Sequence, residues 1–362
     1  MNDLTNAERQ LLIIGNGFDL FCGLRSSYRD FINWRRKHLA EEDGVCEQNV
    51  WDAVLEARRM QDPQWCDIES AIAGWAGGEG SEAYEMLNPS VYIINLRGDS
   101  PRRLPNRDEF RLVANAIGVD EALDTEQHFT YLFTALRQLE DSFIYYMKGS
   151  LRRCDEYQLR ARATVQELLC EEDGTRNKTI HNTLLNFNYT EPVPPSEFSN
   201  LCIDRVRNVH GELGCGEAIF GIDGMNRMDD RLALPFTKTY RLMRLNKSNH
   251  SEMSRKGLGL SDHVSRIKFF GHSLAEADHS YFQAIFDTVD LYGSDTCLEF
   301  YYVQYGEKSV VDVRQEQIDR IMGLLERYSK SLDNEYHGKN LIHKLLLEDR
   351  LKLRLLDVKS YL

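Results

Sequence analysis

The chain has 362 residues, 42% hydrophobic and 10% aromatic, which excludes global disorder and allows two domains or one large domain with an insertion. Its 44 basic and 57 acidic residues leave a formal charge of −13 and an isoelectric point near 5.3, so bulk attraction to nucleic acid or anionic membrane is excluded and only a local basic patch could supply it. No apolar run approaches the roughly 20 residues of a membrane span, the opening MNDLTNAERQ predicts no secretory leader, and eight single cysteines without a CxxC read as reduced thiols of a cytoplasmic protein.

Residues 11–14 (LLII) form an apolar run ending at Gly15, the pattern of a buried parallel strand meeting a glycine turn. From 28 to 84 the pattern is mostly helical, with a Gly-rich break over 74–80. A short β-like run at 91–96 precedes a loop marked by Pro101 and Pro105. Residues 110–172 read as a long helical stretch, with Leu132, Phe133, Leu136, Leu139 and Phe143 at three-to-four spacing. After Gly174 the character changes. Residues 179–187 (TIHNTLLNF) predict a strand closing on Asn188, before a proline-rich loop that cannot be helix interior. Further strands are expected at 205–209, 218–222, 266–270 and 297–303, with helices over 275–289 and 314–332 and an amphipathic segment over 339–362 read as a packing or partner helix. Strands alternating with helices predict an α/β fold with a mostly parallel sheet of Rossmann type and large helical insertions. The expected division is a nucleotide-binding core over 1–27 and 175–310, a helical insertion over 28–174, and C-terminal helices over 311–362 packing on the core.

Four strand-to-loop junctions carry the candidate chemistry, and in a parallel sheet they converge on one rim. The first, IIGNGFDLFCGL, feeds Gly15, Asn16 and Gly17 into a helix, where backbone N–H groups can face a diphosphate with no Cβ in the way. It departs from the dehydrogenase fingerprint, whose third glycine falls on Leu20. Asp19 would repel a phosphate and reads as the helix N-cap or as an acceptor for a ribose hydroxyl. The second junction, NFNYT, presents Asn188; the third presents His210 and Gly211. The fourth, FFGHSL, runs through Gly271 and His272 into a helix that Ser273 can cap. Taken singly, each has a plainer reading: a tight turn, an asparagine satisfying its own backbone, a structural histidine.

Together the segments GNGFDLFCGLRSSYRDF, LLNFNYT, NVHGEL with IFGID, and FFGHSLAEADHSYF closely resemble the AbiH family of bacteriophage abortive-infection proteins. The WCDIE element over 65–69 is similar to a Trp/acidic element of that family. The same blocks resemble a divergent sirtuin pattern. Gly15, Gly17, Gly23 and Leu24 fall at the offsets of the sirtuin glycine opening, with Asp19 in place of its serine. Asn188 matches the asparagine of the second sirtuin element, His210-Gly211 its catalytic His-Gly, and Gly271-His272-Ser273-Leu274 its Gly-Thr-Ser-Leu. Thr190 stands where sirtuins carry an aspartate, and the four-cysteine zinc module is absent. The resemblance implies a sirtuin-like core that takes NAD as substrate, with Gly15, Asn16, Gly17, Phe18, Asp19, Gly271, His272 and Ser273 around the dinucleotide. It implies that Asn188 holds the ribose or the attacking water and that His210 is the base, His272 being the alternative. Without the zinc module the implied chemistry is NAD hydrolysis rather than deacylation.

The implied protein is a cytoplasmic anti-phage effector that depletes NAD on infection. It is expected to be a homo-oligomer answering to a phage-derived trigger or a partner defence protein, with no membrane and no nucleic-acid partner. A non-catalytic nucleotide-binding sensor or scaffold is the alternative, suggested by Thr190 and Asp19; a metal-dependent nuclease comes third. No metal is expected: Cys202, His210 and Cys215 lack a zinc spacing, and His272, Asp278 and His279 do not give a complete ligand set on a helix. Asp67 reads as solvated face, Glu69 as pocket wall, and 35–38 (RRKH) as helix exterior. Asn188 and His210, at strand ends, are expected to matter for chemistry and little for stability.

Overall fold

Glu8–Ile14 (β1) is the strand that the LLII run predicts, and it lies at the centre of a six-stranded sheet. The computed structural model describes residues 8–41, 44–63, 65–76, 125–170, 180–224, 231–245, 258, 260, 264–332 and 334–356. The other strands are Ile180–Asn186 (β2), Ile203–Asn208 (β3), Val264–Phe270 (β4), Cys297–Tyr302 (β5) and Leu351–Leu355 (β6). Their order is β3-β2-β1-β4-β5-β6, and every pairing is parallel. This is the doubly wound α/β order, with its switch point between β1 and β4.

The chain divides into two compact units. A sheet unit comprises Met1–Arg25, Leu151–Cys215 and Lys247–Leu362; a helical unit comprises Ser26–Ser150 and Gly216–Asn246. In the sheet unit, Leu11 to Ile14 are buried on both faces of the sheet, which is why the run is continuous rather than alternating. On one face Leu11, Ile13, Phe269 and Phe300 pack with Phe282, Phe286, Leu324 and Tyr328, which come from His279–Thr288 and Val310–Ser329. Tyr157–Leu169 belongs to the same unit. Its last carbonyls are met by strand residues: Gln10 Nε2 reaches Leu169 O at 3.1 Å and the buried Lys268 Nζ reaches Leu168 O at 2.7 Å. Such donors satisfy a helix C-terminus and suit its negative end.

Three expectations are corrected here. The helix over 157–169 goes with the sheet and not with an insertion over 28–174, because strand side chains close its end. Residues 218–222 form no strand of the sheet; they lie in the helical unit, where Ile222 makes a single parallel bridge to Thr237. Among the described residues, the C-terminal amphipathic segment is helix over Glu335–Leu347 and then becomes β6. LKLRL alternates with period two and carries Lys352 and Arg354, the charges that blunt an edge strand. The expected run at 91–96, Pro101, Pro105 and the start of the 110–172 stretch lie outside the described residues.

The helical unit contains Tyr28–Glu41, Val50–Gln61, Ile68–Ala76, Lys238–Arg244 and all but the last two residues of Thr125–Arg152. Tyr28, Phe31, Phe143 and Phe220 pack edge to face in its core. Arg35, expected on the exterior, is buried and grips Asp52 through Nε and Nη2 at 2.5 and 2.7 Å. Its guanidinium joins two helices, a role that a count of local charges cannot reveal. Arg36 does lie outside, paired with Glu56.

Candidate functional site

β1 and β4 are neighbours, and the turns leaving their carboxyl ends touch. Gly15 N–H donates to Phe270 O at 3.2 Å, Gly17 N–H to Gly271 O at 2.7 Å, and Phe18 N–H to Gly15 O at 2.8 Å. A Cβ on Gly17 would sit 2.8 Å from Gly271 Cα, and one on Gly271 would sit 2.1 Å from Phe18 N. Gly271 also has φ +69°, the left-handed region that favours glycine. These glycines therefore let two backbones meet. The Gly15 and Gly17 N–H groups expected to face a diphosphate are bonded to protein carbonyls, so the phosphate role read from the glycine pattern is not the reason for the glycines. Asn16 and Ser273 are exposed on this rim.

Asp19 is not the helix N-cap; that place is held by Gly15, ahead of the short helix Asn16–Phe21. Its carboxyl points inward, 1% exposed. Tyr157 OH donates to Oδ1 at 2.7 Å and Thr190 Oγ1 to Oδ2 at 2.9 Å, while Asn188 Nδ2 lies 3.4 Å from Oδ1. Burial pushes the Asp19 carboxyl up from 3.8 to about 7, and the hydrogen bonds from Tyr157 and Thr190 hold it back from rising further. Burial and the neighbouring Asp19 drive the Tyr157 phenol well above its ordinary range.

From Thr190 a polar chain runs along the ends of β2 and β3. Asn186 Nδ2 donates to Thr190 O at 2.7 Å and to Asn208 Oδ1 at 2.9 Å, and Asn208 Nδ2 donates to Glu212 Oε2 at 3.1 Å. Glu191 shares a hydrogen bond with Glu212 that, with burial, raises its carboxyl to about 7. Asn188 N–H is held by Asn186 Oδ1 at 3.0 Å. The other end of that residue is left over: Asn188 is 2% exposed and its Oδ1 has no hydrogen-bond partner among the described residues. A buried acceptor without a donor costs about 1–3 kcal/mol.

His210 and His272 come from the loops after β3 and β4 and meet over Asp278. His210 Nε2 is 3.0 Å from Asp278 Oδ1, and His272 Nε2 is 3.4 Å from Asp278 Oδ2. Phe187 packs its ring against both imidazoles, with centroids 4.4 Å from His272 and 5.5 Å from His210. His272 Nδ1 accepts the Leu274 N–H at 2.9 Å. Ser273 does not cap the following helix; its Oγ accepts Ala275 N–H at 3.4 Å, closing a turn.

The structure thus gathers two sets of the residues read from sequence: Asp19 with Asn188 and Thr190, and His210 with His272. Sequence reading missed Tyr157 and Asp278 as members. Tyr157 lies 138 residues from Asp19 in a helix that read as insertion, so nothing local pointed to it. Helical spacing does not reach Asp278, because it sits in the 3-10 turn Glu276–Asp278 ahead of the helix. Glu69, read as pocket wall, pairs with the buried Lys238 at 2.9 Å in the helical unit, and Asp67 Oδ1 accepts Ser70 N–H at 3.0 Å. Among the described residues, no group of three or more His, Cys, Asp or Glu is placed to hold a metal ion, and no helix is long and apolar enough to cross a membrane.

No curated protein and no solved structure matches the chain. The profile described as bacteriophage abortive infection AbiH matches residues 11–300, which takes in β2, β3, β4, most of β1 and β5, and all of the rim residues above. The chain belongs to the AbiH family of bacteriophage abortive-infection proteins.

Proposed function

We propose that the protein is a sirtuin-like NAD hydrolase that depletes NAD in the infected cell. Its family supports a role in phage abortive infection; the chemistry is inferred from the rim. The observation that carries it is the buried, unpartnered Asn188 Oδ1 beside Asp19, at the carboxyl end of the sheet where ligands of open α/β folds bind. A ribose hydroxyl is a donor that fits this acceptor.

Two of the departures from the sirtuin pattern also support the reading. Asp19 stands at the serine position and Thr190 at the aspartate position, and the two side chains touch at 2.9 Å. An acid–hydroxyl pair is kept, with its members exchanged. Thr190 then counts as half of a swap and no longer as a lost acid.

In the reaction the bond between C1′ of the ribose and the nicotinamide nitrogen breaks, and nicotinamide leaves with the electron pair. Water attacks the oxocarbenium-like C1′ and yields ADP-ribose and a proton. Asn188 fixes the ribose or the water, and His210 takes the proton, as an imidazole can near neutral pH. A nucleotide sensor that cleaves nothing is the second reading, and the turn N–H groups already bonded within the protein count against a phosphate cradle in both. Purified protein, alone and with extract of infected cells, is incubated with NAD while nicotinamide is followed by chromatography. Release is expected. Tight NAD binding by calorimetry without release would turn the reading into the sensor, and constant NAD in cells undergoing abortive infection would overturn it.

A further inference from the structure

We propose that Asp278 is the positioning residue of this rim: one carboxylate shared by two imidazoles, which sets the proton on His210 and steadies the imidazolium it becomes. The inference rests on the reading of His210 as the base. Asp278 is 6% exposed, as is His210, and its two oxygens are divided between the rings, Oδ1 to His210 and Oδ2 to His272.

The tautomer of His272 follows from its turn. Its Nδ1 accepts the Leu274 N–H and therefore carries a lone pair, so the neutral ring bears its proton on Nε2, toward Asp278. Leu274 adopts φ +57° to supply that N–H, a backbone conformation an ordinary L-residue takes at a cost. Asp278 forgoes a local bond as well. It occupies the position before His279–Thr288, where aspartate is a favoured N-cap, yet it makes no side-chain cap bond. Both departures leave the carboxylate facing the histidines.

His272 is thereby the fixed partner that orients Asp278, and His210 is the partner that changes charge. With its Nε2 beside Asp278, His210 takes the proton of the attacking water, and the cation forms beside an anion in a site walled by Phe187 and Phe282. The same logic applies wherever a buried carboxylate holds a catalytic imidazole in one tautomer. The groups facing one another are His210 from the loop after β3, His272 from the loop after β4 and Asp278 from the turn ahead of the helix, with His279 buried next to it in the chain.

Histidine-labelled protein, wild type and Asp278→Asn, is titrated by NMR, with the His210 signal assigned by its loss in His210→Ala. Loss of the anion is expected to lower the His210 midpoint by about one pH unit or more. Nicotinamide release is expected to fall about 10²–10⁴-fold in kcat, with KM nearly unchanged. Asp278→Glu keeps the charge and displaces it; it should hold the His210 midpoint while kcat falls, and it serves if the asparagine variant does not fold. An unchanged His210 midpoint in Asp278→Asn, or unchanged kcat in Asp278→Glu, overturns the inference. A shifted midpoint in a protein that releases no nicotinamide under any condition supports the pairing and overturns only the NAD reading.

Discussion

Glu140 in the helical unit and Asp19 in the sheet unit are both acids withdrawn from solvent, yet they are held in opposite ways. Glu140 is met by both terminal nitrogens of Arg241 and by the Phe220 N–H at 2.7 Å. Burial raises its carboxyl, and the guanidinium opposes the rise. Asp19 is met by two hydroxyls and an amide. A buried acid clamped by a guanidinium is charge balanced for the sake of the fold. One surrounded by neutral donors retains a proton that it can exchange near pH 7, which is the state useful at a ligand site.

Breaking the clamp should have the largest effect. Arg241→Ala takes both of its guanidinium contacts from the buried Glu140 and leaves it only the half-exposed Arg137 at 3.0 Å, and is expected to cost up to about 3–5 kcal/mol, read from the urea midpoint of unfolding. A loss below about 1 kcal/mol would show that the pair contributes little, and the contrast with Asp19 would lapse. Asp19 itself should confer a pH dependence of opposite sense to an ordinary paired acid. Its carboxyl is raised from 3.8 to about 7 on folding, so the native state holds the proton more tightly. Its contribution is intact below about pH 4 and is lost as pH rises to about 7, by up to roughly 4 kcal/mol. Asp19→Asn should remove that slope; parallel stability profiles for wild type and variant would refute it. The smallest effect sharpens the comparison from the other side. Thr190→Val deletes one hydroxyl facing Asp19, and should cost about 1 kcal/mol while moving the Asp19 midpoint higher in a carboxyl NMR titration. A midpoint that stays or falls would mean that Thr190 does not stabilise the charge.

Much of the sheet was legible because buried parallel strands are short apolar runs ended by special residues. LLII before Gly15 and the run ending at Phe270 before Gly271 announce β1 and β4 outright. β6 was not legible, since Leu351–Leu355 alternates Leu with Lys and Arg and carries the charge pattern of a surface helix. The polar members of the site divide the same way. Asn188 and His210 stand at strand ends and could be read, whereas Tyr157 and Asp278 join only through contacts made in three dimensions. The expectation that His210 matters little to stability also changes: it is buried and bonded to Asp278, so its removal takes one of two imidazoles from a buried carboxylate.

The interlocked turns at Gly17 and Gly271 have a consequence for how the protein is made. β1 pairs with β4 across most of the chain; Ser265 bonds to Arg9 at a sequence separation of 256. A ribosome that has just released the first strand must therefore synthesise more than two thirds of the polypeptide before that strand gains its second neighbour. Such long-range parallel pairing is slow to form. The rim is thus assembled late, and any fragment that stops short of β4 lacks one wall of it. Translation through β4 is in this sense a condition of the site's existence.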